Sequence, residues 1–214
     1  MAPIPTPILR LVHVENLGVL LTRGALHSAN HTPQDGLGYR AIHRVDVQQS
    51  RHQRQVTAGP CGVLLDYVPF YFGNKSLLLF QLKTGRVAGY AAGQRPLIHL
   101  LVHAQDVVAR GLGFVFTNGH ALANYTDFFD SLDHLNEIDW AVVNLQFWKA
   151  TVDDPDRQTK KQAEFLVHQS LPWDLVREIG VVDEAARAAV LEVLSHHPHA
   201  LHRPVAIRRE WYYP

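Results

Sequence analysis

Of the 214 residues, one is cysteine, one is methionine, and only 19% are charged. A single thiol, Cys61, cannot close an internal disulfide, so nothing in the cysteine count points to an oxidising compartment. No run approaches the roughly 18 consecutive apolar residues of a membrane span. The opening, MAPIPTPILR, has three prolines and no basic leader ahead of an apolar run, unlike a secretory signal. These absences predict a cytoplasmic protein with no membrane partner. Net charge is lacking too: 20 Lys+Arg balance 20 Asp+Glu, which on its face speaks against a partner bound through its phosphates. What is present is a 47% hydrophobic fraction, too high for a disordered chain. At this length it predicts a single domain over 1–214 with a core of its own.

The neutrality is a cancellation. Residues 1–110 hold 11 Lys+Arg and 5 Asp+Glu, whereas residues 111–214 hold 9 and 15. Fifteen of the 20 basic residues are arginine, which favours planar, bidentate or stacked contacts over simple point charge. The plain outcome is an evenly mixed surface; the alternative is a basic half set against an acidic one.

Along the chain, Leu11 to Leu26 reads as a strand end leading into a short helix, with Gly24 as its stop. Residues 30–62 are polar and rich in Gly, Gln, His and Arg, which predicts a long functional loop with at most one short strand or helix. Val63 to Phe80 holds two β-type apolar runs separated by Gly73 and Asn74, predicting a strand and a turn. Pro69 cannot donate to a ladder, which pushes the first run to an edge or to an irregular extended strand. Strand, short helix and strand follow at LIHLLV, AQDVVAR and FVFT. Residues 118–139 carry five acidic residues and no Lys or Arg, and read as an irregular lid. Further strands are predicted at 140–145 and 163–168, and a last one through Pro204 to Ile207. The clearest helix is 183–195, with Asp183 as N-cap and Ala186, Val190, Leu191 and Val193 or Leu194 on its apolar side. Strands separated by short helices and long loops give an α+β class.

Few motifs carry chemistry alone. Gly36, Gly38 and Ala41 in GLGYRA follow no strand and have no acidic partner about 20 residues on, so a redox dinucleotide site is rejected. His196, His197, His199 and His202 lack a recognised zinc spacing and sit past a helix end, where solvated imidazole complements the dipole; no metal is expected. In QAEFLVH, period-2 alternation puts Glu164 with Leu166 and His168 on one face, and a carboxylate there is costly unless that face is wet or the group is used. In DYVPFYF, Tyr67, Pro69 and Tyr71 share a face that could serve as an aromatic shelf for a planar ring, or simply pack. His13, at a strand end among apolar residues, reads first as a core histidine. Arg51 and Arg54 read first as solvated loop residues.

Taken together, His13, Tyr71 and Glu164 resemble the His, Tyr, Glu arrangement of ADP-ribosyltransferases. The strings VHVENLGVLLTRGAL, DYVPFYF, TNGHA at 117–121 and QAEFLV at 162–167 extend the match. Over about residues 8 to 170, and loosely to the C-terminus, the chain resembles the DarT family of bacterial toxins. These modify bases of single-stranded DNA with ADP-ribose and are countered by a macrodomain antitoxin, DarG. The string NKSLLLF departs from the family pattern of a proline and a methionine. The resemblance implies an ADP-ribosyltransferase-like fold, a central split mixed and antiparallel sheet flanked by helices, with a long substrate-binding loop. It implies NAD as a co-substrate and no prosthetic group. NAD would be held by His13, Asn16, Tyr71 and Arg51, with Glu164 stabilising the oxocarbenium-like charge on the ribose. Arg51 matches a catalytic arginine. A guanidinium is donor-only, which favours polarising the base carbonyl over accepting its proton. Arg54, Asn118, Gly119, His120, Asn124 and Tyr125 would read the DNA around thymidine N3, or guanosine in some relatives. Two alternatives stay open: a protein or RNA acceptor on the same fold, and a nucleic-acid-binding module with a degenerate cleft.

Overall fold

The computed structural model describes residues 1–43 and 45–214. The chain opens with β1 (Pro7–His13), whose Ile8, Leu9, Leu11 and Val12 are buried. A 3-10 turn leads into α1 (Leu17–Arg23), which ends where Gly24 turns left-handed at φ 64° and its N–H donates to the Leu21 carbonyl. Then come β2 (Ala25–His27), α2 (Val45–Gln53), β3 (Tyr67–Tyr71), α3 (Leu77–Lys83), β4 (Leu97–His103) and α4 (Ala104–Ala109). The second half adds β5 (Phe114–Thr117), β6 (Phe128–Phe129), α5 (Trp140–Val143), α6 (Arg157–Lys160), β7 (Glu164–His168), β8 (Ser170–Pro172), β9 (Glu178–Val181), α7 (Glu184–Ser195) and β10 (Val205–Ile207).

Eight strands form one sheet in the order β10-β9-β4-β1-β3-β7-β5-β6, and β2 pairs with β8 in a second small sheet. Only β9 and β10 run parallel; the other pairs are antiparallel. Along β1, all seven residues pair with β4, but only Leu9 pairs with β3, opposite Tyr71. The sheet therefore splits between β1 and β3, as the resemblance implied.

Pro69 sits at that split. It was expected to put β3 at an edge or to make it an irregular extended strand, yet β3 lies inside the sheet and pairs with β7 over five residues. In an antiparallel strand the N and carbonyl O of one residue point the same way. The Pro69 carbonyl accepts Arg10 Nη1 at 2.9 Å from the β1 side, so its missing N–H faces the gap and no ladder bond is lost. The edge exists, but it is internal.

Phe70 and Phe165 are cross-strand partners with no exposure, and Phe165 stacks on Phe114 at 5.1 Å. Each such ring stabilises the fold by roughly 1.5–3 kcal/mol through burial. The opposite faces of the same two strands, carrying Tyr71 and Glu164, are left to the cleft.

Two further expectations are corrected. The predicted strand at 140–145 is α5: Asp139 caps it by accepting the Val142 N–H at 3.0 Å, and one turn buries Val142 and Val143 together. The second β-type run after Asn74 is α3, capped by Ser76 Oγ accepting the Leu79 N–H at 3.2 Å, with Leu79 and Leu82 three residues apart on the buried side. In α7 the Asp183 cap, Ala186, Val190 and Leu194 are as expected, but Leu191 is 44% exposed.

Candidate active site

Glu164 opens β7 directly opposite Tyr71 and is 1% exposed. A carboxylate at that depth needs partners. Its Oε2 takes Arg51 Nη1 at 2.9 Å, and its Oε1 accepts the Ala121 N–H at 3.3 Å. The Thr117 hydroxyl accepts the Glu164 N–H at 3.1 Å and donates to the Gly119 carbonyl at 2.7 Å, so one side chain registers both the catalytic strand and the start of the lid. Thr117 was quoted within TNGHA but not assigned a role; its signal was the hydroxyl at a strand end.

Arg51 comes from α2 and is 6% exposed. Its Nη2 is buried and has no partner. An orphaned guanidinium nitrogen beside a buried carboxylate is a donor without its acceptor. Burial first, then the Glu164 carboxylate, pushes the Tyr71 hydroxyl up to about 12, so it stays neutral. Burial first, then Arg51, outweighs Glu164 and holds His120 below its usual value, leaving a neutral imidazole on the same wall.

These groups line a cleft of about 650 Å³, within the range of ligand pockets. Tyr67, Pro69 and Tyr71 all reach its lining, together with Val68, which the alternation of DYVPFYF placed on the other face; Arg10, Arg51, Gln158, Thr159 and Gln162 line it too. Part of the expected long loop, Tyr39 to His43, closes one end. The loop is tied down at three places: Arg23 grips Asp35 with two bonds of 2.8 and 2.7 Å, Arg40 Nη1 meets Glu15 at 2.7 Å, and Asn16 exchanges two bonds with the Arg40 backbone at 2.9 and 2.7 Å.

Asn16 is thus 1% exposed with its amide spent on the loop. His13, 2% exposed, lies outside the cleft lining; its Nδ1 accepts the Glu15 N–H at 3.3 Å and its ring stands edge-on to Tyr90 at 6.2 Å. Burial first, then Arg40, holds its imidazole below the usual value against the pull of Glu15. The order of the sequence could not reveal that Arg40 and Tyr90 would cover it.

In the lid, Gly119 allows close passage: a Cβ there would meet Thr159 Cγ2 at 3.0 Å and Thr126 Oγ1 at 3.1 Å. The His120 N–H donates to the Thr159 carbonyl at 3.0 Å, and Tyr125, 65% exposed, shares a 2.9 Å hydrogen bond between its hydroxyl and that of Thr159. Asn118 pairs with Asp127 through two bonds, and Asn124 is exposed. Arg54 does not reach the cleft: its Nε and Nη2 donate to the Ala121 and Ala123 carbonyls, both at 3.1 Å. In the C-terminal His run, His197 Nδ1 meets the Val193 carbonyl at 2.9 Å, and among the described residues no group of three or more His, Cys, Asp or Glu could hold a metal.

The chain as a whole is similar to known proteins. The family described as "ssDNA thymidine ADP-ribosyltransferase, DarT" matches residues 9–213. The chain belongs to the DarT family. A DNA ADP-ribosyl transferase of Thermus aquaticus is 41% identical over 213 residues, covering 99% of this chain and 90% of that one. The DarT of Thermus sp. 2.9, solved with ADP-ribosylated single-stranded DNA, superposes with a TM-score of 0.92 at 38% identity over 100% of this chain and 99% of that chain. The same Thermus DarT with NAD+ gives a TM-score of 0.88 at 38% identity, covering 100% of both. Membership in the DarT family makes this chain an NAD-dependent DNA ADP-ribosyltransferase of α+β fold.

Proposed function

We propose that this DarT transfers ADP-ribose from NAD to N3 of thymidine in single-stranded DNA through the cleft around Glu164. The observation that carries the assignment of roles is the Arg51–Glu164 pair, 2.9 Å apart and buried, with Arg51 Nη2 left without a partner. Tyr71 stacks on the nicotinamide, His13 and Asn16 support NAD from beneath the loop, and Glu164 faces the ribose. As the bond from C1′ to nicotinamide breaks, its electron pair leaves with nicotinamide and positive charge grows on the ribose, which the carboxylate stabilises. Arg51 Nη2 donates to the thymine carbonyl, stabilising the anion formed as N3 loses its proton. Of the histidines in the cleft lining, His120 comes from the lid that also bonds Glu164, and its neutral imidazole accepts that proton. N3 then closes the new bond to C1′. The lid residues Asn118, Gly119, Asn124 and Tyr125 meet the flanking bases, where exposed Tyr125 provides a stacking surface.

Modification of thymidine blocks a templating base, which supports a toxin role with a macrodomain antitoxin as partner and the cytoplasm as the place of action. Among the described residues, no helix is long and apolar enough to cross a membrane.

The test uses Glu164→Gln with wild type beside it. Replacement by alanine would leave both the buried Arg51 cation and the Ala121 N–H without an acceptor and cost about 3–5 kcal/mol of stability, confounding the result; glutamine keeps the side-chain shape and one carbonyl that can accept from Arg51 Nη1, and so costs less. With NAD and oligonucleotides that contain or lack thymidine, wild type should add one ADP-ribose only to the former, read by mass spectrometry. Glu164→Gln should lose at least about a thousandfold in rate while melting within a few degrees of wild type. Transfer to protein or RNA with none to DNA would overturn the acceptor, and wild-type turnover by the variant would overturn the role of Glu164.

A further inference from the structure

Among the described residues, three arginines line the cleft, and two are already matched by carboxylates: Arg23 by Asp35 at 2.7 Å and Arg51 by Glu164 at 2.9 Å. Arg10 is different. Its Nη1 donates to the Pro69 carbonyl at 2.9 Å, and among the described residues nothing else accepts from its guanidinium. Three histidines share the lining, and each is held below its ordinary value: His27 by desolvation and then Arg23, His43 by desolvation and then Arg10 and Arg51, and His120 by desolvation and then Arg51 against Glu164. At neutral pH, Arg10 is therefore the unmatched charge of the cleft among the described residues.

The fold explains both its position and its freedom. β1 and β3 pair only at Leu9 and Tyr71 among the described residues, so the side chain of Arg10, whose backbone pairs with Leu100 of β4, can reach across the split to β3. Pro69 contributes a carbonyl there and no N–H. One nitrogen of Arg10 ties the seam, which fixes the planar fork and leaves its other donors for the cleft.

We propose that Arg10 is a phosphate-binding residue of this cleft, seating an oxygen of the NAD pyrophosphate. This rests on the reading of NAD as the ADP-ribose donor. A pyrophosphate brings two negative charges into a site whose other ion pairs are already balanced, and a guanidinium whose geometry is set in advance meets it at the least ordering cost. Nothing in the composition marked Arg10: it lies inside an apolar strand string, and its role depends on a seam visible only in three dimensions.

The experiment uses full-length wild type, Arg10→Gln and Arg10→Lys. Calorimetry measures binding of ADP-ribose and adenosine, anisotropy measures binding of a thymidine-containing oligonucleotide across salt, and steady-state transfer gives KM for NAD and kcat. Arg10→Gln should weaken ADP-ribose roughly 10- to 100-fold, leave adenosine unchanged, and raise KM for NAD by more than it lowers kcat. Arg10→Lys, which keeps the charge and a donor for Pro69, should recover part of the loss. Unchanged ADP-ribose affinity with weaker oligonucleotide binding, and a salt slope smaller by about 0.7, would move the phosphate from NAD to DNA and overturn the pyrophosphate assignment. Equal losses for ADP-ribose and adenosine would mean that Arg10 only holds the seam, and no loss for either would also overturn the proposal. Should Arg10→Gln fail to fold, Arg10→Lys and competition of inorganic pyrophosphate against NAD on wild type still decide it: no competition and full ADP-ribose affinity in the lysine variant would be fatal. Failure of wild type to transfer ADP-ribose would instead count against the donor reading, because ligand binding is measured separately from transfer.

Discussion

His99 carries the largest pH liability among the described histidines. It sits on β4 with 2% exposure, its Nε2 meets the Asn74 carbonyl at 3.1 Å, and Trp211 and Tyr212 stand edge-on to its ring at 5.8 and 5.0 Å. A carbonyl accepts only from N–H, so the proton is on Nε2 and Nδ1 is the bare, unpartnered nitrogen. Charging Nδ1 would bury a cation among rings, and burial, against the Asn74 carbonyl, pushes the imidazole down to about 4. In the unfolded chain it titrates near 6.5. Between those values the unfolded state holds more protons, so stability is fully present above about pH 6.5 and is lost as pH falls toward 4. The gap amounts to about 3 kcal/mol. Urea melts at pH 7 and pH 5 should show about 2 kcal/mol of that loss, and His99→Gln, which can still donate to Asn74, should flatten it; an unchanged pH dependence in the variant would remove His99 as the cause. The residues that were legible in advance, Glu164 and Tyr71, were so because strand alternation assigns faces without knowledge of the fold. Asn16 and His13 were legible only as members of a motif, since what covers them arrives from residues 40 and 90.

At the level of elements, the lid is held by α2. Arg54, one residue beyond that helix, braces the Ala121 and Ala123 carbonyls and lies 5.6 Å over the Phe128 ring, while Arg51 on the helix itself holds Glu164. One short helix therefore couples the Arg51–Glu164 pair to the 118–139 lid, the two parts to which we assign catalysis and base reading. Arg54→Ala should lower turnover by about tenfold with little change in NAD affinity, because the Ala121 N–H on Glu164 loosens with the lid. Its oligonucleotide salt slope should match wild type; a slope smaller by about 0.7 would mean that Arg54 contacts a phosphate, as its place in the basic half first suggested. The elements misread from sequence share a cause. WAVVNL and KSLLLF are apolar and short enough for either state, and the deciding signals were the caps, Asp139 and Ser76, one residue outside the apolar run. Pro69 signalled an edge but not which one: in an ordinary sheet the edges are the outer strands, and only a split sheet offers an edge at its centre.

For the whole molecule, the basic and acidic halves of the sequence do not persist as two faces. Strands β4, β1 and β3 from residues 1–110 occupy the middle of the sheet, flanked on both sides by strands from residues 111–214. Charges pair across the halves: Arg95 with Asp183 at 2.8 Å, Arg110 with Asp174 at 2.7 Å, Asp106 with Arg177 at 2.8 Å, and Arg51 with Glu164 at 2.9 Å. Zero net charge thus becomes an evenly mixed surface, and DNA must be held by stacking, base edges and few phosphate contacts. One or two neutralised phosphates on a single strand give a log K against log salt slope of about −0.7 to −1.4. Anisotropy of a thymidine-containing oligonucleotide between 50 and 200 mM salt, roughly a fourfold range, should then lose well under tenfold in affinity. A slope steeper than about −3 would mean that four or more phosphates are neutralised and would overturn this reading.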